Sequence, residues 1–179
     1  MGECYYYLKA RFPKGSITKK KEKRIEEFFL QGDEAETWVW KQDGKKISQT
    51  EFNEKFPVIA EFLKISGMEV SDNRALEFAD CGGSEVMDRL TITDREVSFY
   101  SEVSHMADWQ PIADFLTKEF GASKVVWDVE ENGCGGLDSL EFEDNEQIVQ
   151  DILKHKKILP TLLGINKELD ALIAEQMKG

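Results

Sequence analysis

Cysteine is scarce in this sequence, and its few copies lie far apart. Cys4, Cys81 and Cys134 are odd in number and lack Cys-x-x-Cys spacing, which argues against both a secreted disulfide framework and a zinc motif. A zinc site that adds His105, or a Cys134 nucleophile assisted by His105, competes with the simpler interpretation of core and turn residues. The first nine residues also lack the basic stretch and apolar run of a secretory leader. We therefore expect a reducing, cytoplasmic compartment.

Long apolar runs and nucleotide-binding loops are also missing. No window approaches the roughly eighteen apolar residues of a membrane span, so no membrane partner is expected. The glycine-rich stretch 133–136 is followed by neither the lysine nor the helical pattern of a phosphate-binding loop. The sequence therefore predicts no cofactor and no metal.

Aromatic residues and acidic charge are plentiful. Eleven Phe, four Trp and four Tyr among 179 residues contradict the aromatic-poor signature of disorder and supply a core for one domain. The formal net charge is −12, of which residues 1–46 carry +3 and residues 47–179 carry −15. An acidic body repels nucleic acid, whereas the first segment tolerates phosphates. Solubility is the simpler interpretation of the acidity, and a charged partner is the alternative.

Strand and helix signals alternate along the first third of the chain. Residues 4–12 fit a strand whose buried face is formed by Cys4, Tyr6, Leu8, Ala10 and Phe12. Ser16 or Thr18 can cap the next helix, which Gly32 would stop. Residues 38–41 fit a second, short strand. Later signals are a capping box at residues 48–51, a helix that must kink or restart at residue 57, and a strand at residues 75–79.

The most regular region predicts a hairpin followed by a crossover. Residues 86–92 and 97–103 alternate as two strands around a turn, Asp108 can cap the next helix, and residues 125–129 form another strand. A strand, a helix and a strand joined this closely place the two strands parallel. With the first strand and helix, this region resembles the ferredoxin-like plan of strand, helix, paired strands, helix and strand.

The predicted fold class is α+β, a mainly antiparallel sheet with helices packed on one face and a helical C-terminus. Residues 1–179 are expected to form one domain, in which residues 144–179 are helices docked on a sheet-containing body at residues 1–143. Pro160 and Gly164 are expected to interrupt those helices before Asn166 caps the last one. Its apolar stripe either docks on the body or mediates self-association.

Polar side chains follow the two strands predicted to be parallel. His105 and Asp108 come after the first strand, and Glu130 and Glu131 follow the second. Because parallel strands bring their carboxyl ends to one edge, these groups are predicted to meet there as a catalytic site. An imidazole beside carboxylates suits acid–base or metal-assisted hydrolysis. The alternative is that His105 packs or caps where the strand meets the helix.

A calcium site at the end of the second strand is a weaker match. Asp128, Glu130 and Asn132 resemble the start of a calcium loop, but Ser139 stands where that loop needs a glutamate. An acidic, solvated turn is the simpler interpretation.

The first strand carries a candidate binding face. Tyr5, Tyr7, Lys9 and Arg11 share one side of it, and aromatic rings beside basic groups stack bases in sheet-based RNA binders. No second aromatic motif is visible and the body is acidic, so nucleic acid is not a favoured partner. A strand buried on both faces would use these tyrosines as core.

The sequence favours a non-enzymatic binding or regulatory module that acts through protein–protein contacts, since no catalytic constellation is complete and the charge is uneven. The alternative is a small metal-assisted hydrolase at the strand ends near Val103 and Val129. A nucleic-acid binder that uses Tyr5, Tyr7 and the basic N-terminal segment is the third hypothesis. No specific family is indicated by the motifs.

Overall fold

The computed structural model describes residues 4–70, 86–103, 109–131, 136–142 and 159–176. The strands in these ranges are β1 (Cys4–Arg11), β2 (Leu90–Ile92), β3 (Glu96–Val103) and β4 (Lys124–Glu131). The α-helices are α1 (Lys19–Lys41), α2 (Gln49–Lys55), α3 (Pro57–Ser66), α4 (Val86–Arg89), α5 (Gln110–Phe120) and α6 (Leu159–Gln176), with a 3₁₀ turn at Leu137–Ser139. A single antiparallel sheet with helices confirms the predicted α+β class.

The sheet has the strand order β2-β3-β1-β4, and every neighbouring pair is antiparallel. Because β1 lies between β3 and β4 and opposes both, β3 and β4 run parallel to each other, as predicted. They are not neighbours, which the sequence did not show. The hairpin of β2 and β3 is also confirmed. The ferredoxin-like plan stays a prediction.

Strand β1 is the centre of the core. Its alternate residues Cys4, Tyr6, Leu8 and Ala10 are all buried, which confirms the predicted core face. On the opposite face, Tyr7 is also buried, with 7% of its surface exposed. Strand β1 therefore buries side chains on both sides, as central strands do.

A cluster of phenylalanines joins three helices on the core side of the sheet. The ring centroid of Phe28 in α1 lies 5.5 Å from that of Phe62 in α3 and 4.9 Å from that of Phe115 in α5. Phe29 and Phe120 are 5.2 and 6.2 Å from the same ring. These spacings are those of favourable aromatic pairs, so the cluster fixes how the helices pack.

Helix α1 is longer than predicted. It continues through Gly32 to Lys41, so the stop at Gly32 and the strand at residues 38–41 are both wrong. Gly32 is buried on the core side of the helix. The ring of Trp38 lies 6.0 Å from the ring of Phe52 in α2 and 6.0 Å from the ring of Phe56, which follows α2. Tertiary packing thus outweighs the cost of about 1 kcal/mol that glycine imposes inside a helix.

The segment before the hairpin is also different from the prediction. Val86–Arg89 forms the short helix α4, and only Leu90–Ile92 pairs with β3. The strand is shortened because Arg89 enters the core, where its guanidinium donates to Ser101 Oγ at 3.1 Å and to Asp33 Oδ1 at 3.3 Å. An alternating pattern of apolar residues does not reveal this buried cation.

The N-cap of helix α5 lies one residue after the predicted one. Trp109, not Asp108, occupies the N-cap position, and no side chain caps the helix there. The Trp109 ring stacks on Tyr6 at 5.0 Å and on Phe99 at 5.8 Å. Its burial in the core, followed by a proline in the first turn, sets where the helix starts.

Side-chain capping at α2 agrees with the sequence. Ser48 Oγ accepts a hydrogen bond from the Glu51 backbone N–H at 3.4 Å, and Pro57 begins a new helix rather than a kink. At α1, Thr18 is the capping residue of the two predicted candidates. Gly67 and Gly121 end α3 and α5 in the left-handed conformation that glycine adopts without strain.

Replacing the α2 cap tests this local argument. We expect Ser48→Ala to lower the free energy of unfolding by about 1 kcal/mol, because an N–H of the first turn loses its acceptor. Urea denaturation followed by circular dichroism measures the change. Ser48→Asp supplies a new acceptor and should stay within about 0.3 kcal/mol of the wild type. Equal losses in both variants would show that the hydroxyl does not cap the helix.

The chain divides into two compact units, Met1–Phe142 and Glu143–Gly179. In the second unit, α6 runs without a break from Leu159 to Gln176, so the predicted interruptions at Pro160 and Gly164 are wrong. Proline fits the first turn of a helix because its missing N–H is not needed there. Docking of this unit on the first stays a prediction. Within the described ranges, no helix is both long and apolar enough to cross a lipid bilayer.

Candidate functional site

The carboxyl ends of β3 and β4 meet at one edge of the sheet. Val103 and Glu131 both pair with Cys4 across β1, and the preceding pair flanks Tyr5 with Glu102 and Glu130. The topology thus brings both strand ends to one edge, with β1 inserted between them.

The predicted catalytic site at this edge is described only in part. Glu130 is half-buried and lies beside Tyr5, on the side of the sheet opposite the core face of β1. We call this side the outer face. Glu131 is placed by its backbone register opposite Cys4. His105 and Asp108 lie outside the described residues, so the hydrolase hypothesis stays a prediction.

The candidate metal ligands are likewise described only in part. Cys4 is a free thiol, 6% exposed and packed in the core. It therefore packs as a small apolar residue, in agreement with the simpler interpretation of the sequence. Cys81, Cys134 and Asn132 lie outside the described ranges. Among the residues inside them, no three His, Cys, Asp or Glu side chains are grouped so as to hold a metal ion.

The outer face of β1 contacts its own chain. The rings of Tyr5 and Tyr7 stack at 6.4 Å with planes 10° apart. Lys9 Nζ donates to the Leu140 carbonyl at 3.3 Å. The Arg11 guanidinium lies 4.1 Å from the centroid of the Phe142 ring. Lys9 and Arg11, the two basic residues of the predicted binding face, are therefore both in contact with segment 136–142.

One aromatic residue on this face, Tyr100, was not predicted from the sequence. Tyr100 of β3 pairs directly with Tyr7, which places a third tyrosine on the outer face. The alternation of β3 put Tyr100 on its outer side, but only the register shows that it meets Tyr7. Asp128 flanks Tyr7 on the other side, so this part of the face is acidic as well as aromatic.

The largest exposed aromatic side chain of the described residues lies elsewhere, at the end of α1. Trp40 is 75% exposed. It borders an open groove of about 320 Å³, which we call the Trp40 surface. The lining residues of this surface are Val39, Trp40, Gln42, Asp43, Gly44, Lys45 and Ile47. Sequence reasoning missed it because residues 38–41 were predicted as a strand.

The turn that follows Trp40 is held by hydrogen bonds to the end of the helix. The N–H groups of Gln42 and Asp43 donate to the carbonyls of Val39 and Trp40 at 3.0 and 3.4 Å, and Lys45 N–H donates to Gln42 at 3.0 Å. Asp43 has a φ of +36°, which is uncommon for a residue other than glycine. Such strained positions cost about 1–3 kcal/mol and cluster at functional sites.

Trp40 is presented from a fixed base. Two residues earlier, Trp38 packs on Phe52 and Phe56, and those two rings are 5.3 Å apart. Gln42 Nε2 also donates to the Trp38 carbonyl at 3.3 Å. The last turn of α1 is therefore anchored to α2 while Trp40 faces solvent.

A second, smaller groove of about 220 Å³ lies between α3 and α5. It includes Ile65, which is 43% exposed, and Lys118. Gln110 Nε2 donates to Asp114 Oδ1 at 2.8 Å on its wall. Its exposed apolar surface is smaller than that of the Trp40 surface.

No protein-family model matches the sequence, and neither a curated protein nor a solved structure matches it. Function is therefore inferred from the chemistry of the residues themselves.

Proposed function

We propose that this chain is a non-enzymatic binding or regulatory module that acts through protein–protein contacts, with Trp40 as the anchor of the contact. The observation that carries the proposal is the 75% exposure of the Trp40 side chain beside an open groove. Tryptophan is enriched among the residues that dominate the energy of protein interfaces. Apolar surface that is exposed beside polar residues, as in this groove, is a feature of interaction sites.

The exposed area of Trp40 is large enough to matter energetically. A buried tryptophan covers up to about 250 Å², so covering the exposed three quarters gains at most about 5 kcal/mol at about 25 cal/mol per Å². Its rigid base reduces the ordering cost, because the helix end is already fixed by Trp38 and the turn. The partner segment should therefore present an apolar side chain to the groove.

The rim of the groove narrows the chemistry of the partner. Asp43 and Lys45 are exposed charges of opposite sign on either side of Gly44. Exposed rim charges of this kind orient a partner and affect its association rate more than its affinity. An extended peptide segment with polar residues around one apolar anchor fits this arrangement.

The second unit offers a further contact, and we include self-association through it in the proposal. Leu169, Leu172 and Ile173 of α6 are 49%, 58% and 54% exposed. Apolar residues spaced three and four apart form one stripe on a helix.

We also propose the cytoplasm as the location, because the odd number of cysteines and the free thiol of Cys4 suit a reducing compartment.

The Trp40 surface is tested by comparing variants as bait. Tagged wild-type chain is incubated with lysate of the source cells, and retained proteins are quantified by mass spectrometry. We expect at least one specific partner whose recovery falls tenfold or more with Trp40→Ala, since losing an interface anchor costs about 2 kcal/mol or more.

Ile65→Ala is the matched control, because Ile65 is also an exposed apolar residue of the same unit. It should retain the partner at the wild-type level. A retained set that is identical for all three baits would contradict the role of Trp40. Thermal melting of each bait shows that the variants are folded.

A further inference from the structure

Four chain segments come together at the end of the sheet where β1 finishes. They are residues 11–24, 93–96, 118–124 and 140–142, and we call them the basic end. Backbone hydrogen bonds join them: Phe12 N–H donates to the Arg95 carbonyl at 2.7 Å, and Ser123 N–H donates to the Arg11 carbonyl at 2.8 Å.

Side-chain contacts complete this convergence. Lys21 Nζ lies 5.8 Å from the Phe12 ring centroid and 3.9 Å from where a β-carbon on Gly121 would stand. The Arg24 guanidinium is 5.7 Å from the Phe120 ring and pairs with Glu61 at 2.7 Å. The start of α1 is thus held against the connection between α5 and β4.

The charge of the basic end is opposite to that of the chain. Its four segments contain ten Lys and Arg but only five Asp and Glu, a net of +5, whereas all other residues together carry −17. The exposed members of the cluster are Lys14, Lys19, Lys20, Lys23 and Lys118. Part of this cluster was visible in the sequence as a basic N-terminal segment, but only the fold adds Arg95, Lys118 and Lys124 to it.

We propose that the basic end binds the phosphodiester backbone of nucleic acid without reading its sequence. Clustered exposed lysines neutralise phosphates and release their counterions, which supplies nearly all of non-specific binding. Among the described residues, the large exposed apolar side chains all lie outside the four segments of the basic end, and Ile65 adjoins it in the groove that it shares with Lys118. A protein partner would need such an apolar anchor, so a polyphosphate suits this surface better than an acidic protein.

The acidity of the rest of the chain does not cancel this attraction. Charges in water are screened over about 8 Å at physiological salt. Glu102 and Glu130, which flank Tyr5 and which we call the acidic end, lie six residues along the strands from Arg11, about 20 Å away at about 3.3 Å per residue. The overall charge made nucleic acid a disfavoured partner in the sequence, but the acidic end and the basic end are about two and a half screening lengths apart.

The proposal differs from the tyrosine face predicted from the sequence. Tyr5 and Tyr7 lie toward the acidic end, and Tyr7 is buried. Of the three aromatic rings of the basic end, Phe12 and Phe120 are 0% and 2% exposed, and the half-buried Phe142 ring is covered by the Arg11 guanidinium at 4.1 Å. Because these rings are buried or covered by Arg11, we expect the basic end to contact the backbone of the nucleic acid rather than its bases.

Fluorescence anisotropy with a labelled 20-nucleotide DNA of mixed sequence, single-stranded and as a duplex, tests the proposal. For the full chain we expect a Kd on the order of 10⁻⁵ M at about 50 mM NaCl. The logarithm of affinity should fall with the logarithm of salt at a slope of roughly −2 to −4, as three to five phosphate contacts require. No binding to either DNA at protein concentrations of about 100 µM would overturn the proposal.

A pair of charge-matched variants separates the surface from the net charge. The triple variant Lys19→Gln/Lys20→Gln/Lys23→Gln should weaken binding about tenfold or more and make the salt slope shallower by about 2. The triple variant Lys41→Gln/Lys46→Gln/Lys55→Gln removes the same charge from three exposed lysines elsewhere and should stay within about twofold of the wild type. Equal weakening by both triples would overturn the proposal.

A competition arm tests the class of partner. Poly-L-glutamate at matched charge concentration should displace the DNA poorly. If poly-L-glutamate instead binds more tightly than the DNA, the ligand is an acidic polypeptide and the proposal fails.

The triple variant Lys19→Gln/Lys20→Gln/Lys23→Gln is expected to fold, because basic side chains are unfavourable at the positive end of α1.

Discussion

Replacing Phe28 by alanine is expected to lower the free energy of unfolding by about 3–5 kcal/mol. Phe28 is 0% exposed and its ring meets the rings of Phe62 and Phe115 at 5.5 and 4.9 Å. Its removal therefore opens a cavity where α1, α3 and α5 join. Because these helices cannot all collapse toward the gap, the cost should approach the upper part of that range. Urea denaturation of the full chain measures it.

Two variants keep this prediction specific. Phe28→Leu preserves most of the volume and should cost roughly 1–2 kcal/mol. Trp40→Ala removes a larger ring that is 75% exposed, and should change stability by no more than about 0.5 kcal/mol. If Phe28→Ala cost less than about 1 kcal/mol, the phenylalanine cluster would not hold the helices together.

The second large effect is expected at Arg89. Arg89→Ala should destabilise the protein by about 3 kcal/mol or more, because its loss both opens a cavity and breaks buried hydrogen bonds. The Arg89 side chain is fully buried, its guanidinium bonds Ser101 and Asp33, and it lies 5.3 Å from the Phe99 ring. Arg89→Lys retains the charge but cannot present two nitrogens in one plane. It should therefore cost about half as much or more.

A double-mutant cycle isolates the ion pair. Arg89→Met and Asp33→Asn are combined, and unfolding free energies are measured for both single variants and the double variant. We expect a coupling energy of about 1 kcal/mol or more, since the two groups touch at 3.3 Å. Additivity within about 0.3 kcal/mol would mean that Asp33 does not stabilise the buried cation.

Local patterns predicted most of the sheet. The alternation of β1 identified its core face correctly, because a strand with period two places alternate residues on one side. The hairpin was also predicted, although only Leu90–Ile92 of its first strand pairs with β3. The crossover correctly gave β3 and β4 the same direction. The insertion of β1 between them depends on pairing between distant segments, which no local pattern contains.

The helix ends show where local patterns fail. Gly32 and residues 38–41 looked like a stop and a strand, but burial of Gly32 and contacts of Trp38 with α2 extend α1 to Lys41. In the same way, Arg89 turns a predicted strand into a helix by entering the core. In each case, contacts made after folding outweigh a weak local preference.

The candidate sites were predictable to different degrees. The Trp40 surface was missed because it depends on the extension of α1. Seven of the ten basic residues of the basic end lie in the basic segment 1–46, whereas Arg95, Lys118 and Lys124 join them only through the fold. Of the predicted catalytic residues, Glu130 is placed beside Tyr5, while His105 and Asp108 lie outside the described residues.

The most direct measurement of the proposed protein-binding role is photo-crosslinking from position 40. p-Benzoylphenylalanine is incorporated in place of Trp40 and, as a control, in place of Glu34, another exposed residue of α1, and the source cells are irradiated. We expect a discrete protein adduct from position 40 that the Glu34 position does not form. The same adducts from both positions, or none from position 40 in repeated irradiation of a folded chain, would contradict a contact anchored by Trp40.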